Sequence, residues 1–202
     1  MPTRIRRPAS DHKPYWPDFM NQNPMQLTEL AIKGCFLLQP RVFQDARGRF
    51  VKPLMASHFK AQGLRADFVE QYHSTSAPGV IRGMHFQTPP HEHAKLVYCA
   101  AGAVTDVLLD VRTQSSSYGQ HLALPLSAES GHALYLAAGI AHGFIATEEP
   151  ALMVYNVTSE YAPAHDSGVR WDSFGYDWRA EAPVISERDR SFPPLADFVS
   201  PF

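Results

Sequence analysis

From about Ile32 onward the chain alternates short apolar runs with turn residues, and long amphipathic helices are absent. Strands are predicted over 35–38, 50–51, 68–74, 80–86, 96–101, 104–111, 122–126, 133–136 and 152–157. The period is two in the clearest case: Val107, Leu109 and Val111 share one face, with Asp106 and Asp110 on the other. Asp45-Ala46-Arg47-Gly48 reads as a turn, and residues 57–63 as a short helix closed by Gly63. Many short strands without strand–helix alternation predict an all-β fold, an antiparallel barrel or sandwich with a few short peripheral helices. Residues 1–25, rich in Pro, Asn and charge apart from Trp16 and Phe19, read as an irregular arm. Residues 26–202 read as a single domain.

Composition narrows the class. A 202-residue chain that is 45% hydrophobic buries a sizeable core. A net charge of -2 gives no broad attraction for nucleic acid or an anionic membrane, so an anionic ligand needs a local basic cluster. Cys35 and Cys99 make neither a disulfide framework nor a zinc motif, and a reducing cytoplasm is the simplest compartment. Arg4, Arg6 and Arg7 have no apolar stretch behind them, which does not fit a secretory signal, and no apolar run reaches membrane-spanning length.

The chemistry concentrates in Val80-Ile81-Arg82-Gly83-Met84-His85-Phe86-Gln87, an apolar segment that delivers an arginine and a histidine within four residues. Arginine holds phosphate or carboxylate; histidine moves protons near neutral pH. On an ideal strand Arg82 and His85 face opposite ways, so serving one site requires a bulge, for which Gly83 is suited. Lys95, Val97 and Cys99 are expected on one face of their strand, with Leu96, Tyr98 and Ala100 on the other. Two readings of the site compete. In the first, His91-Glu92-His93 and His142 form a three-histidine metal site. The acidic residue usual a few positions after such a pair is missing, since Val97 and Tyr98 stand there, and Pro89-Pro90 suggests an exposed loop. In the second, proton transfer needs no metal. His85 is the base if a carboxylate orients it and raises its pKa, Tyr155 the acid, and Lys95 the stabiliser of an oxyanion. Each residue alone also has a bland reading, Tyr155 as a core tyrosine and Lys95 as an edge-strand lysine; their joint appearance carries the case.

Further pieces are Asp45-Ala46-Arg47-Gly48-Arg49-Phe50, Ala94-Lys95-Leu96-Val97, Asp106-Val107-Leu108-Leu109-Asp110-Val111-Arg112, Gly139-Ile140-Ala141-His142-Gly143-Phe144 and Ile185-Ser186-Glu187-Arg188-Asp189. With the Arg82–His85 piece, in this order, the chain resembles the dTDP-4-dehydrorhamnose 3,5-epimerase family, metal-free cupin-type barrels of jelly-roll form. The resemblance implies a cytoplasmic homodimer with exchanged arms that needs no cofactor and acts on a nucleotide-diphospho-sugar. It gives His85 as base, Asp189 as its carboxylate partner, Tyr155 as acid, and Lys95 and His142 as residues around the reacting sugar. Arg47 and Arg82 match phosphate-holding arginines. Asp166 and Arg188 match further substrate contacts, where the family more often has glutamate and lysine. Lys52 stands where glutamate is frequent, and Glu70-Gln71-Tyr72 where glutamine-aspartate-asparagine is frequent; all four positions touch the substrate in the family. Ala137 replaces a common proline before the turn that carries His142. The proton-transfer set is therefore intact and the recognition set altered, and the bulk of Tyr72 predicts a narrower sugar pocket. The expected activity is inversion at carbon 3, carbon 5 or both of a 4-keto-6-deoxyhexose. The alternatives are a metal cupin using His91, His93 and His142, and a non-catalytic sugar-nucleotide-binding barrel.

Overall fold

The computed structural model of the protein describes residues 25–147 and 150–202. The expected arm at 1–25 lies outside these residues except for Met25, which is buried against the sheet. The strands are β1 (Gln26–Glu29), β2 (Phe36–Gln39), β3 (Val42–Asp45), β4 (Gly48–Val51), β5 (Glu70–Ser76), β6 (Ile81–Gln87), β7 (Lys95–Ala101), β8 (Ala103–Asp110), β9 (His121–Ser127), β10 (Ala133–Leu136), β11 (Ile140–Ala146), β12 (Ala151–Val157) and β13 (Asp166–Gly168). Two short helices, α1 (Ala56–Ala61) and α2 (Glu187–Ser191), and a 3-10 turn at Leu195–Asp197 complete the fold. No helix among the described residues is long and apolar enough to cross a membrane.

Antiparallel pairing builds a six-stranded sheet, in the order β1-β2-β10-β7-β12-β5, and a five-stranded sheet, β13-β6-β11-β8-β9; β3 and β4 form a separate hairpin. The two large sheets face each other as a jelly roll. Val97, Cys99, Met153 and Tyr155 of one meet Val104, Leu108, Leu126 and Phe144 of the other in the interior. The outer face of the five-stranded sheet is covered by the C-terminal segment, through Phe174, Trp178 and Ile185. That of the six-stranded sheet, which presents Leu96, Ala133 and Tyr135, is covered by Phe59 of α1. Both faces of each sheet are thus dry over much of their area. This explains why Asp106 and Asp110, expected on the face opposite Val107 and Leu109, are fully buried rather than solvated.

Three expectations meet the structure differently. The period-two split of β7 holds: Val97 and Cys99 enter the interior, while Leu96 and Tyr98 pack outside. The short helix is present, and Gly63 follows it with a left-handed φ of 72°. The segment around His142, expected as a turn, is instead β11, buried along its whole length. Its glycines concealed it. Gly143 sits in mid-strand because a Cβ there would lie 2.8 Å from the Arg82 carbonyl oxygen. The backbones of β6 and β11 are in close contact at that point.

Candidate active site

The site is built on the irregularity anticipated in β6. Against β11, His142 pairs with His85 but Phe144 with Arg82, so β6 carries one extra residue between them. Gly83 adopts φ 146°, and a Cβ on it would meet the Gly143 Cα at 2.6 Å, so only glycine fits. The bulge frees the Gly83 N–H, which donates to Asp189 Oδ2 at 3.0 Å. The other carboxylate oxygen, Oδ1, lies 2.8 Å from His85 Nε2. Asp189 is fixed in turn by its place in α2, where the Ser186 side chain caps the helix by accepting the Asp189 N–H at 3.1 Å.

The charge states follow. Burial works against the Asp189 carboxylate, but bonds from His85, Gly83 and Ser186 outweigh it and hold its pKa below the usual value. An ionised carboxylate only accepts, so Nε2 of His85 carries the proton and Nδ1 keeps the lone pair. The His85 pKa is lowered, mainly by burial, with Asp189 opposing and Lys95 and Arg188 assisting. This corrects the expectation that the carboxylate would raise it: desolvation wins, and the imidazole stays neutral.

His85 opens into a cavity of about 460 Å³ also lined by Glu70, Tyr72, Gln87, His93, Lys95, Tyr161, Asp166 and Arg188. Lys95 Nζ donates to the His85 carbonyl oxygen at 3.0 Å. Burial brings its pKa down to about 8, with Asp166 and Asp106 favouring the charged form. Asp166 pairs with Arg188 at 2.8 Å and accepts from the Tyr161 hydroxyl at 3.4 Å. Glu70 accepts the Tyr161 backbone N–H at 2.8 Å.

Tyr155 descends from β12 with its hydroxyl 3.3 Å from Ser74 Oγ. Burial raises its pKa, so the phenol remains a proton donor at neutral pH. The His142 ring meets Tyr155 edge-on at 6.0 Å, and His142 Nε2 bonds Asp106 Oδ2 at 2.8 Å. The Arg82 guanidinium donates to Ser76 Oγ and the Thr75 carbonyl; Arg82, Tyr155 and His142 are not among the residues that line the cavity.

Not every expected residue converges. Gln71 alternates to the opposite face of β5 and donates to Asn156 Oδ1 at 2.7 Å, away from the cavity; strand period decides against it. Arg47 and Lys52 are exposed residues at the β3–β4 hairpin and just past it, and do not line this chain's cavity. Arg47 is paired with Asp45. The three histidines of the metal alternative are engaged separately. The His91 ring packs on His165, His93 Nδ1 bonds Ser159, and His142 bonds Asp106. Among the described residues no three His, Cys, Asp or Glu side chains are placed to hold a metal ion.

A sequence profile of the dTDP-4-dehydrorhamnose 3,5-epimerase family matches residues 29–197. The chain belongs to this family. The Pseudomonas aeruginosa dTDP-4-dehydrorhamnose 3,5-epimerase is 39% identical over 86% of this chain and 97% of its own. The crystal structure of the Bacillus anthracis dTDP-4-dehydrorhamnose 3,5-epimerase, with TDP and PPi bound, superposes with a TM-score of 0.81. It is 34% identical over 85% of this chain and 99% of that one. A 4-keto-6-deoxy sugar epimerase from the novobiocin gene cluster of Streptomyces spheroides has a TM-score of 0.83, at 35% identity over 87% and 89% of the two chains. Tyr161 and His93 line the cavity, and Ser74 bonds the Tyr155 hydroxyl; sequence reasoning named none of them for this site. Tyr161 and Ser74 carry no spacing signal. His93 was legible as a histidine but assigned to a metal set.

Proposed function

We propose that the protein inverts carbon 3, carbon 5 or both of a nucleotide-diphospho-4-keto-6-deoxyhexose, without a metal or redox cofactor. The observation that carries this reading is the buried His85–Asp189 pair, held neutral-and-anionic at the cavity wall beside a lysine. A carbonyl acidifies the protons on its flanking carbons. His85 Nδ1 takes one such proton, and the electron pair moves to the carbonyl oxygen as an enolate. Lys95 donates to that oxygen, an interaction worth roughly a hundred- to thousandfold in rate. Tyr155 returns a proton to the opposite face and regains its own from water, and His85 releases the abstracted proton to water. One C–H bond breaks and one forms, and no net oxidation occurs.

The diphosphate needs cations, and Arg82 and Arg188 supply two from this chain. Arg47 on the β3–β4 hairpin and Lys52 just past it are exposed away from this chain's cavity, which supports a homodimer in which they reach the partner's cavity. Remote phosphate binding then seats the sugar at the reacting carbon. The test is deuterium wash-in from heavy water across a panel of nucleotide-linked 4-keto sugars, followed by NMR. Label at a carbon flanking the carbonyl supports the reading; binding without label at either carbon removes it.

A further inference from the structure

We propose that Tyr72 confines inversion to one of the two carbons flanking the carbonyl; this deepens, and rests on, the epimerase reading above.

Double inversion makes a geometric demand. On the epimerase reading the base is His85 and the proton donor is Tyr155, which lies behind the cavity wall next to Tyr72. To invert both carbons, the sugar must re-seat between events so that each carbon in turn lies between these two groups. Near-attack geometry tolerates reacting atoms only about 3–3.5 Å apart, so the re-seating is a real displacement of the ring. It needs free space beside the donor.

Tyr72 occupies that space. It is the direct cross-strand partner of Tyr155, and the two rings stack with centroids 4.7 Å apart and planes 15° from parallel. Tyr155 is only 7% exposed, whereas Tyr72 is 41% exposed and lines the cavity. The Tyr72 ring therefore stands between the cavity and Tyr155, whose hydroxyl bonds Ser74 Oγ. Fixed polar groups flank Tyr72 on its cavity side. Glu70, two residues earlier on the same face of β5, is anchored by the Tyr161 N–H, and the cavity wall nearby holds the Asp166–Arg188 ion pair. Swinging Tyr72 aside breaks its stack on Tyr155. One seating of the sugar is kept and the second is blocked.

The experiment compares native enzyme, Tyr72→Asn and Tyr72→Phe with one 4-keto-6-deoxyhexose nucleotide in heavy water, scoring deuterium and configuration at each carbon. Native enzyme is expected to label and invert one carbon. Tyr72→Asn, which empties the space, is expected to raise inversion at the second carbon roughly ten- to two-hundredfold relative to the first. Tyr72→Phe, which keeps the ring, is expected to give the native product at whatever rate it turns over. Double inversion by native enzyme at comparable rates overturns the proposal, as does an unchanged product ratio in Tyr72→Asn. A product shift in Tyr72→Phe also overturns it, because the hydroxyl and not the ring would then be responsible. Absence of label at every carbon with native enzyme sinks the epimerase reading itself, a result distinct from each of these.

Discussion

Asp189 Oδ1 lies 2.8 Å from His85 Nε2 across 104 residues of chain, and its second oxygen is held by the Gly83 N–H on the bulge beside that histidine. The carboxylate thus reads two features of one distorted strand at once. It fixes the ring's tautomer, and the backbone donor released by the extra residue in β6 holds its second oxygen.

His85→Ala is expected to lower deuterium wash-in by about a hundred- to ten-thousandfold, the usual contribution of a positioned base. Asp189→Asn is expected to lower kcat substantially while leaving substrate binding, measured by calorimetry, close to native. An amide at this position can present its NH2 to Nε2 and favour the wrong tautomer. Native-rate exchange in His85→Ala would remove that residue as the base.

Activity should follow a bell in pH. The acid limb reports protonation of His85 and falls below the ordinary histidine value of 6.5, because burial lowers its pKa. The alkaline limb lies near 8, where Lys95 loses the charge that stabilises the enolate oxygen. A kcat/KM profile measured between pH 5 and 9.5 checks both. Lys95→Met should lose the alkaline limb along with about two to three orders of magnitude in rate.

Stability should decline on acidification. Burial takes the His93 pKa from 6.5 down to about 3. Asp110 is pushed up by burial but brought down to about 2 by bonds from Arg112, Ser115 and Ser117. Both folded values lie below the unfolded ones, so the unfolded chain takes protons first as pH falls. The stabilisation is complete above 6.5 for His93 and above 3.8 for Asp110, and is lost as pH falls toward about 3 and about 2 respectively. The buried Asp106 carboxyl, raised by desolvation, contributes with the opposite sign. Thermal melts between pH 7 and pH 4 should show a falling Tm, and His93→Gln should flatten the curve.

Gly83→Ala should destabilise the fold by about 2–4 kcal/mol, since it adds a positive-φ penalty to a clash with the Gly143 backbone. Urea unfolding measures it. A cost below about 0.5 kcal/mol would mean that the two strands separate easily, contrary to their tight contact.

If the β3–β4 hairpin serves a partner subunit, the native particle has twice the 22.5 kDa chain mass. Arg47→Ala and His85→Ala, each inactive alone, should then complement on co-refolding. The expected recovery is about a quarter of native activity, the statistical share for a two-fold dimer. Sedimentation gives the mass; a monomer, or no recovery from a verified mixed dimer, rejects the arrangement.

Much of this architecture was legible in the residues. Val107, Leu109 and Val111 announced a strand, and the need to place Arg82 and His85 in one site announced the bulge at Gly83. The strand carrying His142 was hidden because Gly143, required by backbone contact, imitates a turn. The buried state of Asp106 was hidden because a period of two separates the faces of a strand without saying that both are covered. Gln71 shows the limit of motif transfer: its neighbours Glu70 and Tyr72 reach the cavity, and strand alternation turns it away. The His85 pKa was misjudged because sequence names the carboxylate that raises it but not the burial that lowers it further.

His85, the proposed proton acceptor, belongs to the five-stranded sheet, Tyr155, the proposed donor, to the six-stranded sheet, and Asp189 to α2. No fragment of the protein carries a working set. Thermal inactivation and the collapse of the circular dichroism signal should therefore superimpose, and turnover itself becomes a thermometer of global integrity.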